Sequence, residues 1–131
     1  MDDLGKLLLR ILIGGLLMFH GVDKLRNGVG GVRADLAQTG LPGFLAYGIY
    51  VGEVVAPLLI IAGWWTRPMA VIASVSILFG VGIVHRRDFT HLTRMGGWAA
   101  ELWVFYIVGA LVVALLGAGT YALSGGLGPW D

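Results

Sequence analysis

His20, Lys24, Glu53, His85, Arg10 and Glu101 are the residues of this chain whose types and positions could do chemistry. Each lies within or at the edge of a strongly apolar run. Imidazole and carboxyl groups donate, accept and exchange protons near neutral pH, and bases beside them bias which form is held. Charges inside apolar spans are costly, so they face a partner, a cavity or a ligand. At a rise of about 1.5 Å per residue, His20 is expected roughly 7 Å below one membrane surface and Glu53 roughly 15 Å deep, near the midplane. Lys24, His85 and Glu101 fall toward the same side as His20, so these groups gather in one half of the bilayer rather than scattering over both.

Finer spacing adds to this. Arg10, Gly14, Leu17, Gly21 and Lys24 share one helical stripe, with His20 at its edge. Arg10 lies nearer the opposite side, but its length lets it reach toward Glu53, and an Arg10–Glu53 ion pair is the favoured way to carry both charges in lipid. Pro57 follows Glu53 by four residues and cannot donate to the Glu53 carbonyl, so a kink with a free acceptor is expected beside the carboxylate. Each feature also has a plainer reading. Arg10 and Glu53 could be a purely structural pair, and His20 and His85 hydrogen-bonded interfacial histidines. Lys24, Arg67, Arg86 and Arg87 are most simply headgroup anchors, and Glu101 a first-turn acid favoured by the helix dipole. The tryptophans fit an aromatic belt and are assigned no chemistry. Only His20 and His85 could oppose each other across a haem, and no HxxxH or ExxH spacing occurs, so no metal is assigned.

The elements that must position these residues are membrane helices. Among 131 residues, 57% are apolar and only 13% charged, with mean hydropathy +0.84. Soluble proteins run at roughly 45–50% apolar and about 25% charged, so so little charge could not coat a soluble globule of this size. The fold class expected is all-α: one domain over residues 1–131, an integral membrane bundle of four transmembrane helices. The spans fall at about Leu4–Leu25, Phe44–Gly63, Pro68–Val84 and Trp98–Gly117, with an irregular tail over 119–131. The acidic start, Met1-Asp2-Asp3, is unlike a basic leader, so the first run is expected to be a permanent span. Val29, Val32, Leu36 and Ala37 suggest a short surface helix in the first loop. That loop and the third hold Lys24, Arg26, Arg33, Arg86, Arg87 and Arg94, which favours both in the cytoplasm and the termini outside. Net charge is +1, so no nucleic-acid partner is expected, and the absence of cysteine excludes disulfides and thiol chemistry within the chain.

With these residues in view, the chain resembles the DoxX family of small four-helix bacterial membrane proteins. The matching stretches are Leu9-Arg10, Phe19-His20-Gly21, Lys24-Leu25, Gly40-Leu41-Pro42 and Gly52-Glu53 running through Pro57 to Gly63, Thr66 and Arg67. They continue through His85, Gly96-Gly97 and Glu101 to Gly117-Ala118-Gly119-Thr120-Tyr121-Ala122-Leu123. This last stretch departs from the family's usual Gly-Pro-Gly-Arg-Tyr-Ser-Leu at Ala118 and Thr120. The resemblance implies the bacterial inner membrane and an association with membrane oxidoreductase complexes, thiosulfate:quinone oxidoreduction and thiol stress. On that footing the chain is expected to be a subunit that binds a quinone-like molecule in the polar cluster, with electrons supplied by a partner redox protein. The alternatives are a non-catalytic scaffold or anchor, and a small transporter or proton conduit that would have to form a homo-oligomer.

Overall fold

The first apolar run forms one helix, α1 (Asp2–Asn27), with Asp2 and Asp3 in its first turn and Lys24 and Arg26 in its last. Those charges match the helix dipole at both ends. The computed structural model describes residues 1–131 and is mostly helical, with no β-strand. After α1, Gly28 takes a positive φ of 74° and turns the chain into a short helix, α2 (Gly30–Gln38). The next helix, α3 (Gly43–Ala62), opens with a tight turn over Gly43–Tyr47 and widens to a π-helical turn over Val51–Val55. Gly63 ends it in the left-handed conformation, Trp65 follows at φ 51°, and α4 (Thr66–Val84) begins at once. The last helix is α5 (Glu101–Leu116).

Three of these helices, α1, α3 and α4, are long and apolar enough to cross a membrane. The expected fourth span, Trp98–Gly117, is shorter than the sequence suggested. Residues 92–98 fold back as a turn, with Leu92 bridged to Trp98 and the Thr93 amide donating to the Gly97 carbonyl at 2.7 Å. Helix α5 therefore starts at Glu101. Its 16 residues reach about 24 Å, against roughly 30 Å of hydrocarbon core.

Ile13 and Leu17 of α1, Ile60 of α3, Ile77 of α4, and Tyr106 and Val113 of α5 share one buried core. Ala56, Ala70, Ala73 and Ala110 within it let the backbones approach closely. Ser74 Oγ donates across to the Ile107 carbonyl at 3.2 Å and ties α4 to α5. The outer faces are apolar as well: Phe19 is 75% exposed and Leu115 77%. With only 26 of 131 residues buried, an exterior of this kind suits contact with lipid and is not that of a water-soluble monomer. A second, smaller core of Val29, Leu36 and Ala46 fastens α2 to the start of α3.

Residues 117–131 form no regular helix, yet they close the end of the molecule where the α3–α4 turn lies. The Leu123 amide donates to the Ala62 carbonyl, and Ser124 Oγ donates to the Gly63 carbonyl at 2.9 Å. Arg67, read from sequence as a headgroup anchor, instead donates to the Ala114, Leu115 and Asp131 carbonyls. It satisfies the last turn of α5, whose carbonyls have no partners within the helix.

Candidate functional site

Helix α1 carries Leu17, His20, Gly21 and Lys24 at the three- and four-residue spacings that place them along one side. Opposite them, the π-helical turn of α3 presents Glu53. Pro57 supplies no amide for the Glu53 carbonyl, so the α-helical pattern opens there by a wider turn. The freed carbonyl packs against Gly21, where a Cβ would collide with the Glu53 carbonyl oxygen. Gly21 is thus a point of close approach between α1 and α3. It sets the Glu53 side chain directly beside the loop-side half of α1.

Helix α4 adds Ile77, Gly80 and its capping residue His85, and α5 adds Trp103 and Tyr106. Together with Val32 and Asp35 of α2 these residues enclose a cavity of about 290 Å³. Its aromatic wall is continuous. The His85 and Trp103 rings lie 4.7 Å apart between centroids, Trp103 and His20 6.1 Å, and His20 meets Tyr106 edge-on at 6.0 Å. Glu53 Oε2 is buried and has no hydrogen-bond partner within the chain. The polar groups near the mouth are paired: Lys24 Nζ is 3.1 Å from Asp23, and His85 Nδ1 is 3.3 Å from Asp88.

His20, Lys24, Glu53 and His85 therefore line one cavity, from three different helices. Arg10 and Glu101 do not belong to it. The expected Arg10–Glu53 pair is absent: Arg10 is 1% exposed and its guanidinium turns the other way. It donates to the Ile60 carbonyl at 2.8 Å, Ile61 at 2.7 Å, Ala118 at 2.6 Å and Tyr121 at 3.0 Å. The reason is the end of α3, where the Ile61 carbonyl takes no backbone amide and the Ile60 carbonyl takes only that of Gly63, so that with Ala118 and Tyr121 of the closing segment they give the cation its acceptors. Glu53 sits two turns of α3 away. Glu101 is exposed in the first turn of α5 and borders an outer groove with Leu9, Trp98 and Phe105.

Trp103, Tyr106 and Asp35 are wall residues that sequence reasoning passed over. Trp103 and Tyr106 are spaced three apart and so share a face of α5, which was the available signal. Asp35 carried none, because its place depends on how α2 folds back over the cavity.

Two hydrogen-bonding rings, a carboxyl with an open acceptor and an aromatic wall can hold a flat, mostly apolar molecule with polar atoms at its rim. The family model DoxX matches residues 5–86, which include most of α1, all of α2 to α4, and with them His20, Lys24, Glu53 and His85. The chain is also similar to a Bacillus subtilis (strain 168) protein named "Putative oxidoreductase CatD", 32% identical over 76 residues. That alignment covers 58% of this chain and 56% of the relative, so the chain spans little more than half the length of that protein. No solved structure matches. On the extent of the family match, the chain belongs to the DoxX family.

Proposed function

We propose that this DoxX protein is a subunit of a membrane oxidoreductase system and binds a quinone-like molecule in the cavity between α1, α3, α4 and α5. The observation that carries the reading is the buried, unpartnered Glu53 Oε2 facing a cavity walled by His20, Trp103 and Tyr106. A buried polar atom without a partner is unfavourable by about 1–3 kcal/mol, and a ligand hydroxyl donating to Glu53 removes that penalty. An imidazole N–H of His20 can donate to a ring carbonyl in the same cavity. Reduction of a bound quinone to the quinol takes two electrons and two protons. The electrons come from a partner redox protein, since the chain has no cysteine, and His20 and Glu53 are placed to pass the protons.

The same reading takes α5 as a fourth crossing of the bacterial inner membrane. Helix α5 packs along α4, and the turn over residues 92–98 extends its short reach at one end. The basic residues Arg26, Arg33, Arg86, Arg87 and Arg94 then lie in cytoplasmic loops, with both termini outside. The name of the Bacillus relative, "Putative oxidoreductase CatD", favours this reading over a purely structural subunit. The test is the quinone content of protein purified in mild detergent. Near-stoichiometric quinone is expected in the wild type and loss of it in folded Glu53→Gln and His20→Ala, whereas quinone-free wild type refutes the reading.

A further inference from the structure

The cavity is not sealed on the side where α2 faces α4. Phe79, Gly80 and Val84 of α4 form one lip, and Gly28, Gly31 and Val32 form the other. Phe79 is 41% exposed and Val84 44%, on the apolar outer face of a helix long enough to cross the bilayer. At Gly80, Gly28 and Gly31 an added Cβ would meet nothing within 4 Å. Helix α2 touches α4 at Ile83, which packs against the Val29–Leu36 core, so the gap in this seam is the open stretch beside Gly80, next to the exposed outer face of Phe79. Gly80 lies only four residues before the end of α4 at Val84, about 6 Å along the axis, so the gap sits close below the membrane surface.

Size decides what such a gap is for. A cavity of about 290 Å³ lies at the lower end of the roughly 300–1,000 Å³ of small-molecule pockets. It holds a ring headgroup and leaves no room for a long apolar chain. An apolar chain on the ligand is stable in lipid and has a direct way there between the two lips.

We infer that the cavity takes an amphipathic ligand laterally from the bilayer, its ring held inside and its apolar chain leaving through the gap between α2 and α4 beside Gly80. The inference rests on the quinone reading and narrows it to ring compounds that carry a long chain. Gly80 is then the cavity-wall residue that keeps the passage open, because it carries no side chain to fill the gap.

The test uses the full chain in lipid nanodiscs and two probes: a long-chain prenylated naphthoquinone, and menadione, which has the same ring without the chain. Three proteins are compared: wild type, Gly80→Leu, and Gly82→Leu. Gly82 is also free of neighbours but lies off the cavity, so it controls for the added side chain. The expected result is a loss of long-chain affinity in Gly80→Leu at least tenfold larger than its loss of menadione affinity, with Gly82→Leu binding both probes as the wild type does. Equal long-chain binding by Gly80→Leu and wild type would overturn the lateral route while leaving the quinone reading intact. An equal loss of both probes in Gly80→Leu would also overturn it, because the new side chain would then act only by filling the ring site. Failure of the wild type to bind either probe would overturn the quinone reading, and the route with it.

Discussion

Replacing Arg10 by Met keeps the length of the side chain and removes every polar contact it makes. The structure assigns four bonds to that guanidinium: two to the last turn of α3, at Ile60 and Ile61, and two to the closing segment, at Ala118 and Tyr121. Bonds from a charged donor are worth about 1.5–3 kcal/mol each in net terms. Against their sum stands the penalty for keeping a guanidinium out of water, several kcal/mol. The balance leaves roughly 3–5 kcal/mol of destabilisation for Arg10→Met. Arg10→Lys should recover less than half of it, because an ammonium is a point donor and cannot reach both sets of carbonyls as a planar fork does. The loss should be uneven across the molecule, falling on residues 117–131 and on the α3–α4 turn. Equilibrium unfolding in mixed micelles gives the magnitude, and hydrogen exchange read by mass spectrometry gives the location. If Arg10→Met unfolds within 1 kcal/mol of wild type (roughly the scale of an ordinary surface change) and residues 117–131 stay protected, the assignment of Arg10 as the clamp is wrong.

Further outcomes follow from the site. Gly21→Ala places a Cβ 2.8 Å from the Glu53 carbonyl carbon and 3.0 Å from a Val54 methyl, where ordinary contact begins near 3.4 Å. Because backbone must yield, a loss of about 2–3 kcal/mol is expected, along with loss of bound quinone. Gly15→Ala, which meets nothing within 4 Å, should be silent in both measurements. Trp103→Ala removes the ring between His85 and His20 and should weaken quinone binding by at least tenfold, read by titration in nanodiscs, with a smaller change in Trp103→Phe. Equal affinity in Trp103→Ala and wild type would remove the aromatic wall from the account.

Much of this was legible in the sequence, because membrane helices announce themselves by apolar length and Gly and Pro punctuation. The three longer helices stand close to where the apolar runs placed them, and Val29, Val32 and Leu36 marked α2 through their spacing. The grouping of His20, Lys24, Glu53 and His85 was readable from depth alone, since residues at one depth in neighbouring helices are close in space. Partner choice was not readable in the same way. Arg10 was paired with Glu53 on the principle that a buried charge seeks its opposite, and the principle omitted backbone carbonyls at a helix end. Those acceptors have no sequence signature, and half of them come from a segment more than a hundred residues away. Arg67 went the same way, toward the carbonyls at the end of α5. The start of α5 was missed because Trp98, Ala99 and Ala100 are as apolar as the helix they precede, while the turn that holds them out is set by Gly96 at φ 85°.

The central claim is that a quinone ring occupies the cavity bounded by α1, α3, α4 and α5. The most direct measurement is photolabelling of the wild-type protein in membranes with a photoreactive quinone, followed by peptide mapping. The account predicts labels on residues 17–24, 77–85 and 103–106, all of them lost when excess unlabelled quinone is present. Labels spread over the lipid-facing residues of every helix, or concentrated in the outer groove near Leu9 and Phe105 and unaffected by competitor, would contradict it.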